Sequence, residues 1–127
     1  MTLDPTIIES LNQGQILFNQ RKFFEAHEVW EETWSGTEGN ERHLLQGLIQ
    51  VAAGFYKLQV GMPTGTCKLL QKGATHLQTV PADFYGVDLP SLLEQVEHWT
   101  QTSRTMIDQF STQYDPEKLP LLTLNHH

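Results

Sequence analysis

Apolar residues recur at helical spacing through five segments of the chain, and they nowhere alternate long enough to read as a half-buried strand. The first segment carries Ile7, Leu11 and Phe18 on one side. It opens at Asp4-Pro5, a side-chain cap followed by proline at the first helical position, and runs to about Asn19. A second helix is predicted from Phe23 to Trp34, ended by Ser35-Gly36. The third, from Glu41 to about Val60, places Leu44, Leu45, Leu48, Val51, Phe55 and Leu58 on one side. Gly61-Met62-Pro63 breaks it, and a fourth helix follows from Thr64 to about Thr79. Pro81 to Leu89 reads as a loop carrying Phe84 and Tyr85, and a fifth helix begins near Pro90. Its Leu92, Val96, Trp99, Met106 and Phe110 form a heptad-like stripe. The pattern predicts an all-α fold: a single bundle of about five antiparallel helices over residues 1–116, with a loosely held tail at 117–127. The last stripe, together with the aromatic loop, also suggests a homodimer that would bury apolar surface.

The spacing contains a weak internal repeat. Gly14, Ala26, Trp30 and Thr33 recur forty residues later as Gly54, Thr66, Leu70 and Gly73. In each set a small residue lies late in one helix and a bulky one midway through the next. This spacing resembles the helical hairpins of tetratricopeptide repeats, so the expected architecture is two such hairpins with the last helix as a cap. Gly47 and Gly54, two turns apart on the third helix, are expected at a close helix–helix contact.

Composition narrows the function classes. At 127 residues the chain suffices for one domain with its own core. Eight basic against fifteen acidic residues give a net charge of −7, which argues against a phosphate-neutralising nucleic-acid surface. Six of the acids lie between Glu25 and Glu41 with no lysine or arginine among them. The lone Cys67 cannot pair internally, no signal-peptide pattern opens the chain, and the apolar stretch from Gly47 to Tyr56 is too short to cross a bilayer. A soluble cytoplasmic protein without membrane partners is the expectation. His126 and His127 are native or part of a tag and are left out of any site.

The candidate chemistry sits on the second helix. His27 and Glu31 are one turn apart, so their side chains can meet, and Phe24, Trp30 and Trp34 are expected to surround them. A histidine and a carboxylate so placed can hold a divalent metal ion, share a proton, or satisfy one another. His27-Glu28-x-x-Glu31 echoes the His-Glu-x-x-His zinc helix, with Glu28 as candidate base. Two ligands are too few for tight zinc binding. The polar stripe of His43, Gln46, Gln50 and Lys57 on the third helix offers His43 and Gln50 as further partners, if the second helix packs beside Gly47 and Gly54. The alternative is a non-enzymatic helical interaction module in which the His–Glu pair is structural. No phosphate loop, nucleophile elbow or Cys-x-x-Cys pair is present.

A family resemblance rests on Glu25-Ala26-His27-Glu28-Val29-Trp30-Glu31-Glu32 with Trp34, and on Gln46-Gly47-Leu48-Ile49-Gln50-Val51-Ala52-Ala53. It continues through Gly61 and Leu69-Leu70 to Lys72-Gly73, and so covers roughly residues 10–80. On these residues the chain resembles domain of unknown function 309, a family of small all-helical bacterial and archaeal proteins. The family's hallmark, His-x-x-x-Glu followed three residues later by Trp or Tyr, falls on His27, Glu31 and Trp34. The resemblance implies suspected metal binding and no established activity. The chain departs from many relatives at Thr66, where they carry alanine, and at Tyr56-Lys57, where they carry histidine.

Overall fold

The first helix begins where the sequence caps it. The Asp4 carboxylate accepts from the Thr6 amide at 2.8 Å, with Pro5 following, and α1 runs Pro5–Asn19. The computed structural model describes residues 3–125 and continues with α2 (Phe23–Trp34), α3 (Gly39–Gln59), α4 (Pro63–Leu77) and α5 (Leu89–Asp108). Short 3₁₀ turns occupy Phe84–Gly86 and Pro116–Lys118. Each helix packs on its successor, so the fold is an all-α bundle of five helices. The core joins Ile7, Leu11, Trp30, Phe55, Leu70 and Trp99 across all five.

The internal repeat is physical. The α1–α2 turn is closed by the Arg21 amide donating to Phe18 O at 3.0 Å and the Lys22 amide to Leu17 O at 2.8 Å. Forty residues on, the Gly61 amide donates to Leu58 O at 3.1 Å and the Met62 amide to Lys57 O at 2.8 Å. Both turns need a left-handed residue, Arg21 (φ 67) in the first and Gly61 (φ 77) in the second. Glycine adopts that conformation at no steric cost. Arg21 instead has its guanidinium held by the carbonyls of Leu119 and Pro120, both at 2.7 Å.

The glycines mark close contacts between helices. A Cβ on Gly14 would run into the Trp30 indole, and one on Gly54 would lie 3.0 Å from Leu70 Cδ2. One on Gly47 would meet Leu77 at 2.6 Å and Gly73 O at 3.0 Å. The helix that approaches Gly47 and Gly54 is therefore α4, not α2 as the sequence suggested. α2 meets α3 instead at Arg42 and Tyr56, which Trp34 and Phe24 contact.

Two further expectations change. Phe110 closes the turn after α5 in the left-handed region (φ 52) and is 98% exposed, so it lies off the buried stripe of Leu92, Val96, Trp99 and Met106. That stripe is part of the buried core, against which Phe84 and Tyr85 also pack. The segment expected to be loose is anchored. Leu119 and Leu122 are buried, and Leu122 exchanges hydrogen bonds with Asn19 at 2.8 and 3.1 Å. Val87 and Leu124 form an isolated antiparallel bridge. His126 and His127 lie outside the described residues.

Candidate functional site

Helical spacing alone places His27 beside Glu31, and the structure joins them: Nε2 lies 3.2 Å from Oε2. Burial is uneven, with the imidazole 22% exposed and the carboxylate 57%. The far side of the ring is enclosed, because His27 Nδ1 is buried without a hydrogen-bond partner. Phe24 lies 5.5 Å from the imidazole, centroid to centroid, and 5.1 Å from Tyr56 of α3. Glu28 is exposed next to the pair in sequence.

The expected aromatic surround is only partly assembled. Trp30 turns away toward α1, where its Nε1–H donates to Ser10 O at 3.1 Å and its ring covers Gly14. Trp30 lies 60° round the helix from His27 and 100° from Glu31, which is far enough for the core to claim it. Trp34 is half-buried under Arg42, whose guanidinium carbon stands 4.0 Å from the ring centroid. Its Nε1 is buried without a partner.

The α3 partners divide. His43 pairs with α4, its Nδ1 lying 3.0 Å from Nδ1 of His76. Burial, and then the nearby His43, lower the His76 pKa. Gln50 bonds to neither helix. Because Phe24 stacks by Tyr56 at one end and Trp34 by Arg42 at the other, α2 and α3 run antiparallel, and Gln50 falls level with the stretch between His27 and Glu31. Gln50 Oε1 is likewise buried and unpartnered. Among the described residues, no group of three or more His, Cys, Asp or Glu side chains could hold an ion.

Sequence reasoning missed the His43–His76 pair, whose members are 33 residues apart and meet only through α3–α4 packing. It also missed Tyr85, which sits at φ 56, accepts from the Asp4 amide at 3.0 Å and donates to Glu41. Burial and the Glu41 hydrogen bond push its phenol up to about 12. No local spacing signals either contact.

The resemblance to an uncharacterised family holds, since residues 11–69 match the family model described as Domain of unknown function (DUF309). The chain is also 26% identical over 90 residues to a protein of Aquifex aeolicus (strain VF5) described as uncharacterized. That alignment covers 70% of this chain but 27% of the relative, so the chain spans about a quarter of that protein's length. No helix among the described residues is long and apolar enough to cross a membrane.

Proposed function

We propose that the protein is a small helical binding module whose His27–Glu31 pair takes a divalent cation. The observation that carries this reading is the pair itself: 3.2 Å between Nε2 and Oε2, with Nδ1 enclosed. Two donors bonded to one ion at about 2.1 Å, at angles between octahedral and tetrahedral, stand roughly 3.0–3.4 Å apart. A ligating imidazole donates its other N–H to an acceptor that fixes the tautomer. Gln50 Oε1, buried and unpartnered on the neighbouring helix, is the candidate, although it does not bond Nδ1 in this structure. With Nδ1 protonated, the Nε2 lone pair faces the Glu31 carboxylate, and only a cation or a second proton relieves that opposition. The four carboxylates of α2, Glu25, Glu28, Glu31 and Glu32, with no lysine or arginine on that helix, favour a cation. Two protein ligands leave positions for water, so exchange should be fast. Glu28, exposed and next to His27 in sequence, would be the base for such a water.

A second reading has its own observation. The repeated hairpins, proposed here as tetratricopeptide-like, need no ligand, and Glu31 is largely exposed. A structural hydrogen-bonded pair within α2 of an interaction module fits both facts.

Calorimetric titration of metal-stripped protein lacking His126 and His127 with Zn²⁺, Mn²⁺ and Ni²⁺ separates the readings. The cation reading expects micromolar binding that His27→Ala and Glu31→Gln abolish and His43→Ala leaves unchanged. Affinity should fall below about pH 6.5 as the imidazole protonates. Flat titrations of the parent would leave only the hydrogen-bonded pair.

A further inference from the structure

A second polar site is built where α2 ends against α3 and α4. A cavity of about 280 Å³ is lined by Trp34, Arg42, His43, Gln46 and His76. Each of these side chains carries an N–H donor and none is a carboxylate, in a chain with fifteen acids against eight bases. Two features hold the lining in place. His43 and His76 meet at Nδ1 atoms 3.0 Å apart, one donating and the other accepting, and Arg42 lies over Trp34 while its Nη1 donates to Thr37 O at 3.3 Å. The Trp34 indole N–H is buried and finds no acceptor within the protein. A guanidinium, an amide and an imidazole N–H with no carboxylate on the same wall are complementary to a ligand made of acceptors.

We propose that this cavity binds a small oxyanion, a phosphate or a carboxylate, with Arg42 supplying the charge, Gln46 and the Nε2–H of one imidazole the neighbouring donors, and the other imidazole a donor once it is protonated. The guanidinium suits this role because its planar fork matches two oxygens of one anion. The volume is that of several waters at about 30 Å³ each, enough for phosphate or a short carboxylic acid. An anion would also offset the burial that lowers the His76 pKa. A metal ion is the competing occupant, since imidazole nitrogens 3.0 Å apart also suit adjacent ligands. Against it stand the Arg42 guanidinium on the same wall and the absence of any three-ligand group among the described residues.

The test is an NMR titration of the full chain at constant ionic strength, following the His43 and His76 imidazoles and the Trp34 indole. Inorganic phosphate and acetate are the probes, chloride is the control, and Zn²⁺ is run separately. The proposal expects saturable shifts with phosphate or acetate at millimolar concentration and none with chloride. Arg42→Gln should raise the dissociation constant at least tenfold, Arg42→Lys by less, and His27→Ala should leave it unchanged. Because Arg42 is exposed, both of its variants should fold, and their backbone spectra check this. Equal responses to all three anions, an Arg42→Gln titration matching the parent, or a site answering only to Zn²⁺ would each overturn the oxyanion assignment.

Discussion

The α1–α2 and α3–α4 hairpins share one hydrogen-bonded turn and one offset, yet they fill the space between their helices in opposite ways. In the first, Trp30 lies flat over Gly14, fixed by its bond to Ser10 O. In the second, the smaller Leu70 lies over Gly54, and a second glycine pair brings backbone toward backbone. There a Cβ on Gly73 would stand 2.9 Å from Gly47 O, whereas the equivalent first-hairpin positions are Thr33 and Ile7. One hairpin is thus filled by a large ring and the other by closeness. Each choice serves a different site. The first leaves the outer face of α2 to His27 and Glu31, and the second draws α4 near enough for His76 to reach His43.

The comparison breaks most visibly at the paired glycines. Gly14→Ala forces a methyl into a hydrogen-bonded indole, within 2.6 Å of Cζ2, that has nowhere to swing. The expected loss is about 3 kcal/mol, the upper end for overpacking. Its counterpart Gly54→Ala meets only the flexible end of Leu70 at 3.0 Å. There the gain in helix propensity of about 1 kcal/mol should nearly cancel the crowding. Urea midpoints of the two variants measure the difference, and equal losses would show that the hairpins are packed alike.

A smaller effect is expected at Gly73→Ala, about 2 kcal/mol. Its methyl would meet Val51 Cγ2 at 2.8 Å as well as the Gly47 carbonyl, and a backbone cannot rotate aside. A stabilised variant would mean that α3 and α4 are not in close contact there.

The smallest effect belongs to the imidazole pair. His76 has a pKa lowered below its ordinary 6.5, so the unfolded chain holds more protons than the folded chain between 6.5 and that lower value. The contribution to stability is therefore complete above 6.5 and is lost as pH falls through the folded value. His76→Gln should lose less stability than the parent between pH 7.5 and 5, read as the difference in denaturation midpoints. Parallel pH profiles for the two proteins would contradict a lowered His76.

Much of the fold was legible because it is encoded locally. Capping at Asp4-Pro5, the break at Gly61-Met62-Pro63 and the apolar stripes each act within a few residues, and every helix lies close to where they put it. His27 and Glu31 were legible for the same reason, since an i, i+4 pair needs only the helix. Arg21 was not legible. A left-handed arginine has no sequence signal, and its place depends on carbonyls at Leu119 and Pro120, far along the chain. The anchored tail escaped notice for the same reason, as its polar backbone is satisfied by Asn19 and Gln15 on the first helix.

Sequence by itself determined the five helices, the forty-residue repeat and the His–Glu pair, all consequences of periodicity and short-range sterics. Tertiary structure decided which side chains complete a site. Trp30 might have faced His27 or α1, and burying its large ring against Gly14 with its N–H satisfied favoured α1. His43 might have reached His27 or α4, and the close approach permitted by Gly47 and Gly73 favoured His76. A residue near a helix boundary between stripes has two neighbours within reach, and the packing of the whole core chooses between them.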